Sequence, residues 1–347
     1  MVADLTDAEL TQSVKETALE MGASNVGVAG PDNLTGPPEA DPRPLLPGAT
    51  AVVSFLFVEP EDAVMKYLSK EDPEPYRDHF HENIQLAGSV GLAIAETVRS
   101  RGFRALPLSP NGVYAEGSNV VQGLKPPFSH RYAAVAAGLG AIGLSGNVMT
   151  PEYGARVCLG SVICDVPLVP DCPLEENPCE KCGMCLRSCP VGFISPTETV
   201  TFTMGAREIT HAKKGLHARC AISCAGFSGL SRDGKWSTWA PADRPVPEDD
   251  GEMVRLLAQL AAEYLKKHTE HPELPNFFRL GQPMRGYPED AQGILARARF
   301  DTHTTCGNCA VVCFEEKKKR AGALKALRNS GFIVEDDAGN IRVVKSL

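Results

Sequence analysis

Two cysteine runs in the sequence have spacings that suit iron–sulfur clusters. The first, CEKCGMCLRSCP, places Cys179, Cys182, Cys185 and Cys189 just before Pro190. It matches C-x2-C-x2-C-x3-C-P, in which three thiolates hold one 4Fe-4S cluster and the fourth cysteine ligates a second. A structural zinc site typically has two separated cysteine pairs instead. The run therefore predicts a pair of 4Fe-4S clusters rather than a single metal ion.

The second run, CGNCAVVC, lies more than a hundred residues downstream and ends at Cys313. Because Cys313 follows its pair at the same x3 spacing as Cys189, both are expected to exchange between clusters. The first cluster would then be held by Cys179, Cys182, Cys185 and Cys313. The second would be held by Cys306, Cys309 and Cys189, which leaves one position unfilled.

The eighth ligand has two main candidates, Cys220 and Cys224 in HARCAISCAG. Their spacing alone does not choose between them. Cys158 and Cys164 lie in an apolar run, where a free cysteine behaves as a small hydrophobic residue. Cys172 precedes a proline in the loop before the first run. These three are weaker candidates, and the choice between Cys220 and Cys224 stays open at this point.

The elements that must position these cysteines alternate between helix and strand over the first 170 residues. Residues 7–21 have helical periodicity and lead into a short strand in ASNVGVAG, while 49–59 is typical of a buried central strand. Helices are predicted over 81–102 and 130–140, with strands in FRALPLSP and over 157–169. The alternation indicates an α/β (α+β) layer domain.

The domain organisation predicted from this pattern has three parts. Residues 1–170 form the α/β domain, and 171–320 form a two-cluster, ferredoxin-like domain with an insertion at about 195–300. Residues 321–347 form a C-terminal helix and hairpin. A bare ferredoxin needs only about a quarter of this chain, so the electrons are expected to be used by the upstream domain.

Composition and charge narrow the classes of function. The 347 residues are 43% hydrophobic and 22% charged, with a net charge of −8, which argues against a nucleic-acid surface. We find no secretory or twin-arginine signal and no apolar run of membrane-spanning length, so a cytoplasmic protein without a membrane partner is expected. In a reducing compartment, twelve cysteines indicate metal ligands rather than a disulfide scaffold.

A longer stretch resembles the epoxyqueuosine reductase and reductive dehalogenase superfamily. The matching features are AGLGAIG, the MTPEYG turn, a strand leading into D-x-P-L, and the cysteine run that follows within about ten residues. The opening segments VKETALEMGASNVGVAG and PLLPGATAVV are also similar. The resemblance covers most of residues 10–190 and the cysteines beyond.

The resemblance implies a nitroreductase-like domain that binds base-off cobalamin, joined to the two-cluster domain. It also favours Cys220 over Cys224, because epoxyqueuosine reductases complete the second cluster with a cysteine in an R-C-I-S context similar to ARCAIS. The cofactor-binding residues that we predict on this basis are Ser129, Arg131, Gly138, Gly140, Ile142 and Gly143. For the glycines, ordinary turn geometry is the alternative explanation.

The sequence also departs from the pattern of the superfamily. QGLKPPFSHRY has no carboxylate where epoxyqueuosine reductases carry a catalytic Asp, and only 34 residues follow Cys313, too few for the extension that helps to hold tRNA. The proton-donating Tyr of the reductive dehalogenases cannot be placed. We therefore expect a third branch that acts on a small molecule, with tRNA disfavoured as substrate.

Reductive cleavage needs a proton donor, and the candidates are Tyr114, Glu116 and His130. The alternatives are that Tyr114 packs at a domain interface and that His130 is only a helix-start residue. The predicted function is a cytoplasmic cobalamin-dependent reductase that receives electrons from a low-potential donor such as ferredoxin or flavodoxin. A corrinoid-free electron-transfer protein and an epoxyqueuosine reductase acting on tRNA are the competing hypotheses.

Overall fold

The computed structural model describes residues 6–109, 115, 118, 121, 123–267, 305–336 and 340–347. The elements in chain order are α1 (Asp7–Glu20), β1 (Asn25–Ala29), β2 (Ala51–Val58), α2 (Glu61–Ser69), α3 (Glu74–Arg99), β3 (Ala105–Leu108), α4 (His130–Ala136), β4 (Ala141–Ile142), β5 (Val148–Met149), β6 (Val157–Cys164), α5 (Met184–Arg187), β7 (Ile194–Met204), β8 (Arg207–Lys214), α6 (His217–Cys224), α7 (Asp250–Lys267), α8 (Asn308–Val311), α9 (Lys317–Arg328), β9 (Phe332–Glu335) and β10 (Ile341–Val344). Together they form the mixed α/β structure that the sequence predicts.

A four-stranded sheet in the order β1–β2–β6–β3 is the centre of the first half of the chain. Every neighbouring pair in it is antiparallel, with Val28 opposite Val53 and Phe55 opposite Gly160. As predicted, β2 is a buried central strand. Pro107 lies in the edge strand β3, the position where a missing backbone N–H is tolerated.

Helices cover both faces of this sheet, which explains why its strands are apolar nearly throughout. On one face, α1 and α3 pack through residues such as Val14 and Val90. On the other face, α4 packs with the β4–β5 segment through Ala134 and Ile142. Helix α1 begins with a complete capping box between Thr6 and Glu9, as the acidic start of the segment allows.

Several elements differ from the sequence predictions. Helix α3 begins at Glu74 rather than near residue 81. Helix α2 is not predicted by the pattern at all. The β7–β8 hairpin also goes unpredicted, because its strands are largely exposed and polar and lack a buried alternating face.

A second apolar core joins α2 to the C-terminal part of the chain. Tyr67 and Tyr76 pack with Trp236, Trp239 and Phe314. The Tyr67 hydroxyl donates to the Cys306 carbonyl oxygen at 3.0 Å, and Trp239 Nε1 donates to the Tyr67 carbonyl oxygen at 2.9 Å. The C-terminal part of the chain contains α9 and the antiparallel strand pair β9–β10, and α9 begins at Lys317, before the predicted boundary at residue 321. No helix in the described ranges combines the length and apolar character needed to cross a bilayer.

Candidate iron–sulfur site and adjoining pocket

The two cysteine runs adopt the same local fold. Each contains C-G-x-C, and each glycine has a left-handed φ, 72° at Gly183 and 100° at Gly307. The glycine precedes a four-residue helix in both cases, α5 and α8. These helices pack against each other, and Asn308 Nδ2 donates to the Ser188 carbonyl oxygen at 3.4 Å. The two turns place cysteine side chains on both sides of the α5–α8 pair. An exchange of ligands between two clusters requires such an arrangement.

The thiols near the first run include Cys313 and, at Cys185, also Cys309 from the second run. Burial and the neighbouring thiols, Cys313 first, raise the pKa of Cys185 to about 12. Burial and the Cys179 thiol likewise raise the pKa of Cys313 to about 11, and Cys182 contributes to both shifts. Cys313 therefore lies with the run from which it is separated in sequence. Buried thiols of this kind become thiolates when a metal supplies the compensating positive charge.

The thiols of the second group mix in the same manner. Burial and the Cys306 thiol raise the pKa of Cys189 to about 11. Burial and the thiols of Cys220, Cys306 and Cys189 raise the pKa of Cys309 to about 12. The partly buried side chains of Cys189, Cys220 and Cys309 pack against the apolar cluster that contains Phe193 and Ile222, and Cys306 is buried. The arrangement groups the cysteines as the exchange pattern predicts, and cluster binding itself stays a prediction.

Two thiols compete for the last position of the second group. Cys220 Sγ and Cys224 Sγ lie 3.6 Å apart, one turn apart on α6. The Cys220 thiol raises the pKa of both Cys189 and Cys309. The Cys224 thiol is hydrogen-bonded to Cys306 and lowers the pKa of Cys306. The structure therefore brings both candidates to the same site. Cys158 and Cys164 lie instead inside β6, where burial raises their pKa.

No group of three or more Cys, His, Asp or Glu side chains in the described residues converges as the ligands of one metal ion would. A four-iron cluster spans a wider space than a single ion and spreads its ligands accordingly. The donor set of the two groups is entirely thiol, which is the chemistry that iron–sulfur clusters require. The cysteines present thus fit two clusters better than a mononuclear ion.

Glycines of the AGLGAIG and MTPEYG segments bring the upstream domain against the cysteines. A side chain at Gly154 would collide with the carbonyl oxygen of Cys313, and Ala155 N donates to that oxygen at 2.7 Å. A Cβ at Gly143 would lie 3.4 Å from Cys179 Sγ. Close backbone approach therefore accounts for Gly154. At Gly143 the 3.4 Å distance is an ordinary van der Waals contact, so a side chain there would fit against a cysteine of the first group.

Polar groups donate to the cysteine sulfurs in both groups. Leu144 N lies 3.3 Å from Cys179 Sγ, and Phe193 N lies 3.3 Å from Cys189 Sγ. Asn147 Nδ2 donates to Cys309 Sγ at 3.6 Å. Such hydrogen bonds stabilise thiolate ligands and raise the reduction potential of a bound cluster. Leu144 and Asn147 belong to one turn, so a single segment contacts both groups.

A buried arginine lies beside the first group. Arg320 on α9 is 1% exposed and forms an ion pair with Glu180 at 2.9 Å. It also lowers the pKa of Cys313, against the effects of burial and neighbouring thiols. Neither Arg320 nor Asn147 is predicted from the sequence. Arg320 lies in the KKKR segment, where charge density indicates an ordinary solvated helix face.

His130 and Ser109 mark a polar site at the edge of the sheet. His130 Nδ1 is hydrogen-bonded to Ser161 Oγ at 2.9 Å, and burial lowers the pKa of His130 to about 4. His130 Nε2 and Ser109 Oγ are both buried and have no hydrogen-bond partner in the described part of the chain. Ser129 caps α4 by accepting from Tyr132 N at 3.4 Å. The backbone of Ser109 adjoins the His130 ring, and the two unpartnered atoms are positions where a ligand could supply the missing hydrogen bonds.

The remaining predicted residues have separate surroundings. Side chains at Gly138 and Gly140 would collide with Cys172 O and with Val148 and Met149, so these two glycines are explained by turn packing. Gly140 and Ile142 also line a cleft of about 260 Å³. That volume is below the ~300 to 1,000 Å³ of ordinary ligand pockets and too small for a macrocycle. Tyr114 and Glu116 lie outside the described residues.

Known proteins similar in sequence come from two enzyme classes. The chain is 26% identical over 221 residues to epoxyqueuosine reductase of Escherichia coli (strain K12), covering 55% of this chain and 54% of that protein. It is 37% identical over 100 residues to tetrachloroethene reductive dehalogenase of Sulfurospirillum multivorans, covering 28% and 17%. No family profile matches the chain. The chain thus spans about half the length of the first of these relatives.

Solved structures of the same classes are also similar. A reductive dehalogenase, whose structure is described as suggesting a mechanism for B12-dependent dehalogenation, gives a TM-score of 0.49 at 19% identity and covers 86% of this chain and 40% of its own. Epoxyqueuosine reductase with a tRNA-Tyr stem loop gives 0.42 at 18%, covering 93% and 90%. The chain is thus similar in sequence to epoxyqueuosine reductases and reductive dehalogenases, both of which are oxidoreductases, and the similarity supports a divergent member at the level of that superfamily.

Proposed function

We propose that the chain is a cobalamin-dependent iron–sulfur reductase of a small molecule, cleaving a carbon–halogen or carbon–oxygen bond. One observation carries this proposal. A single turn of the upstream α/β half, residues 143–147, donates hydrogen bonds to cysteines of both thiol groups. Two clusters in contact with this turn can transfer electrons into the α/β half of the chain. The boundaries 1–170, 171–320 and 321–347 are part of the proposal.

The cysteines hold the clusters, and neighbouring groups adjust their potential. In the first group these are Cys179, Cys182, Cys185 and Cys313, and in the second Cys189, Cys220, Cys306 and Cys309. Hydrogen bonds from Leu144 N and Phe193 N stabilise thiolate ligands without adding charge. The turn and both short helices are held by backbone hydrogen bonds, so the clusters keep a fixed position relative to the sheet.

Cobalamin is supported by the relatives and by the unsatisfied atoms beside the sheet. When bound, it supplies a low-valent cobalt able to cleave such bonds reductively. Its amide groups could satisfy His130 Nε2 and Ser109 Oγ, which lack partners in the described residues. Ser129, the N-cap of α4, lies next to this position, whereas the side chain of Arg131 reaches the Gly146 carbonyl oxygen instead. The predicted residues Gly138, Gly140 and Gly143 would contribute to this site indirectly, through the shape of the turn in which they lie.

The surroundings of His130 reduce the number of candidate proton donors. Because burial lowers its pKa to about 4, the ring is neutral at pH 7 and serves as a hydrogen-bonding group rather than as an imidazolium acid. Tyr114 and Glu116 therefore carry the proposed proton delivery. The external reductant would be a low-potential protein such as ferredoxin or flavodoxin, in the cytoplasm.

Anaerobic purification with cobalamin supplied tests this function. We expect about eight irons and one cobalt per chain, with the visible spectrum of a base-off corrinoid. A His130→Ala, Ser109→Ala double variant should keep its iron and take up less cobalt. About eight irons without cobalt uptake would overturn the proposal and support a corrinoid-free electron-transfer protein.

A second candidate function is epoxyqueuosine reduction on tRNA. The relatives with the longest matches carry that name, and a similar structure holds a tRNA stem loop. The net charge of −8 and the absence of a carboxylate in QGLKPPFSHRY favour a small molecule instead. Turnover of an epoxyqueuosine-modified stem loop by the cobalt-loaded protein, at a rate unaffected by small halogenated competitors, would establish the tRNA activity.

A further inference from the structure

Four cationic or titratable side chains gather beside the β4–β5 turn, on the side of the second cysteine group. They come from three elements: Arg131 from α4, His211 and Lys214 from β8, and His217 from α6. Arg131 Nη1 donates to the Gly146 carbonyl oxygen at 3.3 Å. Lys214 Nζ and His211 Nδ1 lie 3.0 and 3.6 Å from the position that a Cβ on Gly146 would take. Three of the four therefore converge on one glycine.

The position of this group is set by the fold rather than by flexible surface side chains. Ala212 N donates to the Leu144 carbonyl oxygen at 2.9 Å, which ties β8 to the turn. The ring of His217 lies edge-on to Phe193, with centroids 5.1 Å apart. His211 Nδ1 is hydrogen-bonded to the Ala212 carbonyl oxygen at 2.8 Å. The side chains of His211, Lys214 and His217 are half-buried.

Like charges at such short range are unfavourable unless a negative group balances them. Within the described residues, none of the four forms an ion pair with a carboxylate, although nearby Lys213 pairs with Glu198 at 3.0 Å. Burial and then Arg131 lower the pKa of Lys214 to about 8, although the thiols of Cys309 and Cys220 act in the opposite direction, and burial followed by Lys214 lowers the pKa of His217. A negative group brought into this space would remove the repulsion.

We propose that Arg131, His211, Lys214 and His217 form a pocket for the anionic group, a carboxylate or a phosphate, of the substrate. This inference rests on the proposed reductase function and names the class of its substrate as small organic anions. Arg131 offers a fixed fork of N–H donors, and Lys214 offers a point charge. The pocket adjoins Asn147, which contacts the cysteine Cys309, so an anion held there lies next to the electron path.

Phosphate binding by the iron-loaded protein without cobalamin tests the pocket independently of turnover. We expect saturable binding of inorganic phosphate by calorimetry, weakened roughly tenfold or more by Lys214→Gln or Arg131→Gln. Lys214→Arg should keep most of the affinity. Lys213→Gln is the matched control, because its side chain is exposed and already paired with Glu198, and it should bind phosphate as the wild type does.

Three results would overturn the proposal. The first is no saturable phosphate binding by the wild type, or equal losses in Lys213→Gln and Lys214→Gln. The second is a Lys214→Gln variant that shifts the reduction potential of the second cluster while phosphate affinity is unchanged, which would assign the cations to the cluster. The third is loss of phosphate binding on cobalamin loading, which would assign them to the phosphate of the corrinoid.

Failure of this inference is distinguishable from failure of the proposed function. Cobalt uptake and the corrinoid spectrum report on the cofactor and involve no phosphate probe. Phosphate binding is measured before any cobalamin is added. A protein that binds phosphate through Lys214 but takes up no cobalt would retain the anion pocket and lose the reductase assignment.

Discussion

The two cysteine groups share a local fold and differ in how completely each is specified. The first has four thiols for four positions, each from a short-range motif or its exchanged partner. The second has Cys189, Cys306 and Cys309, with Cys220 and Cys224 both available for the fourth position. The spacing within each run thus predicts which cysteines bind together and which one exchanges between the clusters. The fourth ligand of the second group depends instead on where the distant helix α6 packs.

Their surroundings differ as well. The first group lies beside the buried guanidinium of Arg320, which is paired with Glu180. The second lies beside the Asn147 amide and Lys214, on the side where the proposed anion pocket opens. The first environment therefore holds a buried cation that is already paired, while the second adjoins cations without a carboxylate partner in the described residues. The comparison predicts that single substitutions affect one cluster at a time.

Replacing the exchanged cysteine should have the largest effect. In Cys313→Ser we expect the cluster of the first run to be lost, because Cys313 lies with Cys179, Cys182 and Cys185. Iron should fall from about eight to about four atoms per chain, with one electron paramagnetic resonance signal remaining. Loss of the cluster bound by Cys306 and Cys309 instead would break the exchange scheme. Cys158→Ser, inside the sheet, serves as the control.

The choice of eighth ligand is the next test. Cys220→Ser should remove the second cluster, whereas Cys224→Ser should leave about eight irons per chain. The reason is that the Cys220 thiol raises the pKa of both Cys189 and Cys309, and so lies with both, while Cys224 contacts Cys306. The two variants are matched in chemistry and lie on the same helix. The reverse pattern of iron loss would move the ligand to Cys224.

Arg320→Gln should change the potential of the first cluster alone. Removing a buried positive charge disfavours addition of an electron, so the potential should fall, on the order of 50 mV. Arg328→Gln on the same helix is the control, since Arg328 pairs with Asp233 at the surface at 2.5 Å. Potentiometric titration checks both. An equal shift of both clusters would contradict the separate environments described above.

Asn147→Ala should have the smallest effect, and on the other cluster. Loss of the Nδ2–H donor to Cys309 Sγ removes one stabilising hydrogen bond from a thiolate. We expect the potential of the second cluster to fall by roughly 10 to 30 mV. The first cluster in the same sample provides the internal reference. No measurable change in the second cluster would show that the 3.6 Å contact is not a working hydrogen bond.

Much of the fold follows from sequence pattern because its causes are local. The apolar run of β2, the helical spacing of α1 and the glycine that follows α3 each depend on neighbours in sequence. The antiparallel order of the sheet does not, since it depends on which strands pair. The β7–β8 hairpin goes unpredicted for a related reason: it is largely exposed, so no buried face leaves a period in the sequence.

The candidate site divides in the same way. Cysteine spacing predicts the thiol grouping seen here, because short turns hold three ligands close together. Arg320 and Lys214 are single charged residues in segments that look like ordinary surface. Only the packing of α9 and β8 brings them to the cysteines and the turn. No motif in a single sequence records such contacts, since the partners are far apart along the chain.

The hydrogen bond from the Tyr67 hydroxyl to the Cys306 carbonyl has a consequence for protein engineering. Tyr67 lies on α2, and the backbone it supports carries two of the cysteines of the second group. Excising the cysteine-rich half for transplantation into another host protein would remove this support, together with the acceptor of the Trp239 Nε1–H. The cysteine groups are therefore built into their host scaffold, and a portable version of the proposed electron path would need α2 to be included.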